Sequence, residues 1–122
     1  MKREIVGPKG QSYSQGVKVG NLVYFSGLSA RDSDEVMYAP NDIRKQTQRA
    51  LEKLQERVEA AGSSLDNLVK LTVYIDDITK KPQFHSVYTD FFPTDGPART
   101  TLEIGRFDGG MCIEIEAIAF IP

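Results

Sequence analysis

The chain has 122 residues, 40% of them hydrophobic and 26% charged, with a formal net charge of −2. That balance is ordinary for a globular protein of one-domain size and excludes the disordered and fibrous classes. No excess of Lys and Arg marks a nucleic-acid surface, and no run approaches the roughly 20 apolar residues of a membrane span.

The opening MKREIV is basic but lacks the apolar run of a signal peptide. Next, Gly16 to Val19 and Leu22 to Ser26 are β-rich runs on either side of Gly20-Asn21, which predicts a hairpin. Arg31 to Pro40 is polar and turn-rich, hence a loop. From Asn41 the period changes. Ile43, Thr47, Ala50, Leu51, Leu54, Val58 and Ala61 recur at three- and four-residue steps, one apolar stripe on a helix. Asn41 is the expected N-cap and Gly62 the stop.

In LDNLVKLTVYIDDI, Val69, Leu71, Val73 and Ile75 alternate with Lys70, Thr72, Tyr74 and Asp76, the pattern of a half-exposed strand. Pro82 to Phe92 spaces Phe84, Val87, Tyr88, Phe91 and Phe92 as a second helix, ended by Pro93 and Gly96. Two strands follow, roughly Arg99 to Arg106 and Met111 to Ile121, and Asp108-Gly109-Gly110 between them signals a hairpin. Strand, strand, helix, strand, helix, strand, strand implies one α+β domain over residues 1–122 with both helices on one face of an antiparallel-rich sheet. The other face calls for self-association in a closed symmetric oligomer.

Arg99 enters its strand from a rigid Pro97-Ala98 turn. Its planar fork can clamp a carboxylate, or it can form a surface salt bridge to Glu103 or another acid. Glu114 and Glu116 alternate with Ile113 and Ile115 and share one strand face, either solvated or serving as base or water holder. Tyr13, Ser14, Ser26 and Gly27 could orient a substrate or be turn and edge residues. His85 is the only histidine and has no G-x-S-x-G partner, so a Ser-His-Asp triad is not expected. One His and one Cys at no ligand spacing make no zinc site, and no G-x-G-x-x-G or phosphate-cradling loop supports a nucleotide or flavin cofactor. The single Cys112 excludes an intramolecular disulfide, and the expected location is a reducing compartment, by default the cytoplasm.

PARTTLEIGRFDGGMCIEIEAIA resembles the signature of the Rid family, also called YjgF or reactive intermediate deaminases and formerly L-PSP endoribonucleases. SYSQGVKVGNLVYFSG, ALEKLQERVEAAGSSLDNLVKLTVYIDDI and Tyr88-x-x-Phe91-Phe92 extend the resemblance over nearly the whole chain. It implies a chorismate-mutase-like α+β fold of the bacillus type, with a six-stranded sheet and two helices on one face, assembled as a homotrimer with clefts between subunits. It further implies cofactor-independent, metal-free hydrolysis of enamine/imine intermediates such as 2-aminoacrylate to 2-keto acids and ammonia. Carried over by motif, Arg99 matches the carboxylate clamp, Glu114 the water-activating acid and Tyr13 the cleft tyrosine. Ser26-Gly27 match the Ser-Gly of an S-G-Q turn, and Thr101, His85 and Tyr88 fall among the substrate-binding positions. Glu116 is left with a structural or solvated role. There are departures: Leu28 stands where many members have Gln, His85 where they often have Asn, Thr101 where they often have Cys, and Ser12 before Tyr13 where Pro is frequent. They leave open a different imine substrate or a binder of small carboxylates without catalysis. Endoribonuclease activity is the weaker alternative.

Overall fold

The computed structural model describes residues 2–32 and 35–122. Six strands form one sheet: β1 Arg3–Val6, β2 Gly16–Val19, β3 Leu22–Leu28, β4 Leu68–Ile75, β5 Ala98–Glu103 and β6 Ile113–Phe120. Two helices, α1 Ile43–Ala60 and α2 Lys81–Phe91, pack on one face. The sheet order is β1-β2-β3-β6-β4-β5. Every neighbouring pair is antiparallel except β4 and β5, which run parallel.

The β2–β3 hairpin forms where the sequence predicts it. Gly20 takes φ +61°, as the first central residue of a tight two-residue turn requires. Helix α1 buries Ile43, Thr47, Ala50, Leu51, Leu54 and Val58 against the sheet. Its N-cap is Asp42 rather than Asn41: the Asp42 carboxylate accepts the Lys45 N–H at 3.0 Å. Asn41 stands in the left-handed region at φ +65°, outside the helix, and its N–H donates to the Gly110 carbonyl. Such a cap is worth about 1 kcal/mol.

Three further expectations are corrected. β1 is a strand that its two apolar residues did not signal, and it exists because β2 offers an unpaired edge, in register from Arg3 opposite Val19 to Val6 opposite Gly16. In β4, Leu68 rather than Val69 faces the core with Leu71, Val73 and Ile75, and Val69 is 45% exposed. A bulge between Leu68 and Lys70, opposite β6, shifts the alternation by one residue there. Finally, β5 and β6 are not a hairpin. β5 pairs with β4 from Lys70 opposite Ala98 to Ile75 opposite Glu103, and β6 inserts between β3 and β4. Asp108-Gly109-Gly110 still turns, with φ +64° and +76° at the glycines, but it carries the chain across β4 instead of back onto β5. A Cβ at Gly110 would lie 2.7 Å from Pro40 Cβ, so this crossing also needs glycine to pass the entrance of α1.

Gln46 ties that crossing down. Fully buried in α1, it donates to the Ala39 and Gly110 carbonyls at 3.0 and 2.9 Å and accepts the Cys112 N–H at 2.8 Å. Both its amide nitrogen and its amide oxygen are thereby partnered, as burial requires. The start of β6, and hence the placing of its acids, is fixed to α1. Thr47, its neighbour, is equally buried, but its hydroxyl oxygen has no partner. Thr47→Val keeps the shape and removes an unsatisfied polar atom. It is expected to stabilise the protein by about 1 kcal/mol, a rise in Tm of about 4 °C readable by calorimetry.

Candidate active site

In β5, Arg99 lies in register with buried Leu71, so it projects toward the helices. There α2 meets it. The guanidinium carbon sits 4.5 Å from the Tyr88 ring centroid and 5.2 Å from that of Phe84, and Nη1 lies 3.1 Å from His85 Nδ1. Among the described residues Arg99 forms no ion pair. Glu103, its candidate salt-bridge partner, instead accepts the Ile78 N–H at 3.0 Å. Arg99 is therefore a half-buried cation lying on aromatic faces and one imidazole, with guanidinium donors free for an anion. Burial raises the Tyr88 phenol's pKa, an effect Arg99 partly counters. Thr101, opposite Val73, shares this face, and its hydroxyl oxygen is buried without a partner.

A second group gathers across the sheet. Between Phe25, opposite Ala117, and Leu28, opposite Ile115, β3 bulges by one residue. The bulge sets Ser26 and Gly27 apart from the regular ladder. The Ser26 N–H donates to the Gln15 carbonyl at 2.9 Å and its hydroxyl to the Ser14 carbonyl at 2.6 Å, which fastens the segment before β2 to β3. A Cβ at Gly27 would lie 3.0 Å from Glu114 Cδ and 3.1 Å from its Oε1. A side chain there would push the carboxylate back by a few tenths of an ångström, and glycine lets it rest against the bulge. Leu28 is 4% exposed and belongs to the core, so its departure from the family pattern fills the interior. Glu114 is in register with Tyr74 on the face away from the helices. Glu116 on the same face accepts a hydrogen bond from the Tyr74 hydroxyl, which raises the Tyr74 pKa.

Tyr13 belongs to neither group. It is 73% exposed and makes no hydrogen bond to Arg99 or Glu114. It lies near Arg57 of α1, whose pKa burial lowers and Tyr13 partly restores. The sequence therefore names residues that the fold sorts into two sets. Arg99, Thr101, His85 and Tyr88 stand at the α2 side of the β5 edge, while Ser26, Gly27 and Glu114 meet at the β3 bulge. Arg99 and Glu114 lie on opposite faces with β4 between their strands, and one chain cannot bring them together.

A family model described as endoribonuclease L-PSP matches residues 6–121. The chain belongs to the Rid family. A RutC family protein of Pyrococcus abyssi is 37% identical over 108 residues, covering 88% of this chain and 85% of the relative. Reactive Intermediate Deaminase A, chloroplastic, of Arabidopsis thaliana is 30% identical over 107 residues, covering 88% and 57%. Among solved structures, E. coli TdcF with bound serine superposes with a TM-score of 0.85 at 29% identity, covering 98% of this chain and 99% of that one. The Rid fold expected from the motifs is the fold observed, although the six strands include one that the sequence pattern did not show.

Cys112 of this Rid protein is buried and free, and burial raises its thiol pKa. The neutral thiol is thus favoured in the folded state, and any stability it lends is present below the unfolded pKa and lost as pH rises through the folded value. A thiolate reagent at about pH 8 is expected to label the native protein at least about 100-fold more slowly than the protein unfolded in urea. Equal rates in a spectrophotometric thiol assay contradict that placement.

Proposed function

We propose that this Rid protein hydrolyses the reactive imines that arise from 2-aminoacrylate-like enamines, giving 2-keto acids and ammonia, in clefts shared by neighbouring subunits of a homotrimer. The observation that carries the reading is Arg99: a half-buried guanidinium held by two aromatic rings and an imidazole, with no ion pair to a carboxylate among the described residues. A small carboxylate is the complementary guest. The solved TdcF relative, with its bound serine, supports a small carboxylate as ligand in this fold, and the Arabidopsis relative's name supports the reaction.

In the reaction, the enamine first takes a proton on carbon to become the 2-imino acid. Water adds to the imine carbon, the C–N bond breaks, and the nitrogen leaves as ammonia while the carbonyl forms. No redox step or covalent enzyme intermediate is needed. Arg99 holds the substrate carboxylate and so fixes the imine carbon in place, a positional contribution on the order of several kcal/mol. Glu114, seated on Gly27, takes the water proton as its oxygen attacks. Thr101, His85 and Tyr88 shape the carboxylate side and Ser26 and Gly27 the water side, while Tyr13 is assigned to the cleft by the family resemblance alone.

The sorting of these residues supports an oligomer, and the family resemblance makes the trimer the proposed form. A site needing both Arg99 and Glu114 is incomplete in one chain, so the second copy supplies the missing half. The helix-free sheet face, where Tyr24 is 48% and Leu102 37% exposed, is the surface available for that contact. No helix among the described residues is long and apolar enough to cross a membrane. The single Cys112, which excludes an intramolecular disulfide, supports a reducing compartment, by default the cytoplasm.

The experiment generates 2-aminoacrylate from serine with a dehydratase and follows pyruvate release with and without the protein. Acceleration that Arg99→Ala removes supports the deaminase. Saturable binding of 2-oxobutanoate that Arg99→Ala removes, with no acceleration on a panel of imines, supports the second reading, a carboxylate binder. Ribonuclease activity, which the family model's description names, has less behind it: the single histidine is engaged with Arg99 and the net charge is −2.

A further inference from the structure

We propose that His85 positions Arg99 by serving as a neutral hydrogen-bond acceptor, so that the grip of Arg99 on a carboxylate weakens when the imidazole takes up a proton. The inference rests on the clamp reading of Arg99 given above. A guanidinium carries N–H donors and no acceptor, so the 3.1 Å contact between Nη1 and Nδ1 can be a hydrogen bond in one sense only. Nδ1 accepts. A neutral imidazole has one protonated nitrogen, and its proton therefore resides on Nε2. Aromatic packing holds the ring in this orientation. It stacks on Tyr88 at 6.0 Å between centroids with 19° between planes, and Tyr88 rests in turn on Phe92 at 4.7 Å. Arg99 is thus oriented by the Tyr88 face, the Phe84 face and the His85 lone pair together.

Protonation removes the third of these. Nδ1 becomes a donor, and two cationic donors then face each other at the same contact. Arg99 of β5 contacts the ring, Lys81 stands one helical turn earlier on α2, and Arg44 of α1 donates to the adjacent Ser86 hydroxyl at 2.6 Å. Tyr88 presents a neutral phenol, and among the described residues no carboxylate forms an ion pair with His85. Asparagine at this position could also accept from Arg99 through its amide oxygen but cannot titrate there. The histidine therefore adds pH dependence to a positioning contact that a neutral amide could make.

Because His85 is the only histidine, a long-range 1H–15N spectrum of the ligand-free protein reads its tautomer without assignment. Near pH 7.5 the expected result is the proton on Nε2, and a proton on Nδ1 overturns the proposal. Calorimetric titration with 2-oxobutanoate then tests the consequence. Wild-type affinity is expected to fall about tenfold from about pH 7.5 to about 5.5, the scale of one charge-assisted hydrogen bond. His85→Asn is expected to recover most of the neutral-pH affinity with a flat profile, and His85→Leu to bind weakly at both values. A wild-type profile that is flat or rises toward acid overturns the proposal. An Nε2 proton together with no keto-acid binding at any pH sinks the clamp reading instead and leaves the His85–Arg99 pairing supported.

Discussion

Arg99→Ala is expected to lower pyruvate release from 2-aminoacrylate by about 10²–10³-fold and to abolish measurable 2-oxobutanoate binding. The size follows from what is lost. A bidentate guanidinium–carboxylate contact comprises two hydrogen bonds to charged groups, each worth about 1.5–3 kcal/mol, and about 1.4 kcal/mol is tenfold in an equilibrium constant. Arg99→Lys keeps the charge but loses the fork and the fit to the Tyr88 face, so it is expected to retain part of the activity, about tenfold below wild type. Arg99 lies against Tyr88 and Phe84 of the core but is itself only half-buried, so thermal stability is expected to move by only a few degrees. A variant as active as wild type, or one that has unfolded, removes the support for this role.

The second prediction tests how the halves meet. Glu114→Gln removes the acid and is expected to cost about 10²–10⁴-fold in rate, the usual span for a general base. Two inactive variants, Arg99→Ala and Glu114→Gln, are then co-expressed with different tags and the mixed trimers isolated. If each cleft takes its arginine from one subunit and its glutamate from the next, some clefts in mixed trimers hold neither mutation. Each mixed trimer, of either composition, has one such cleft in three, so about a third of its clefts recover full activity. A site contained within one chain predicts none, because every chain carries a lesion. The contrast is large, and inactive mixtures of confirmed mixed trimers refute the shared cleft. The geometry that motivates the experiment is plain: Arg99 is in register with core-facing Leu71, while Glu114 is in register with outward-facing Tyr74.

Much of this arrangement is legible from local signals. The stripe from Ile43 to Val58 needs only the period of a helix, and the structure buries those positions. Gly20-Asn21 marks a turn closed by backbone within four residues, and that hairpin forms. Asn41 and Val69 show where local reading stops. Both have the right chemistry for the role assigned, but Asn41 is drawn out of the helix by the Gly110 carbonyl, and Val69 is turned outward by a bulge that depends on β6. The Asp108-Gly109-Gly110 signal is a true turn read with the wrong partner, because a turn dictates a change of direction and not which strand lies beside the returning chain.

The same division runs through the candidate site. Residue identity and motif spacing, by themselves, determined the family, the two helices, the hairpin and the set of polar residues that could bind an anion, because those depend on side-chain chemistry and on contacts a few residues apart. Only the tertiary structure decided that β6 enters between β3 and β4, that Leu28 is interior, that Gly27 seats Glu114, and that His85 holds Arg99. It also decided that Arg99 and Glu114 face away from each other. Strand order and sheet face are set by pairings between segments tens of residues apart, and the free energy that selects them comes from burying one face of the whole sheet at once, which no short window of sequence contains.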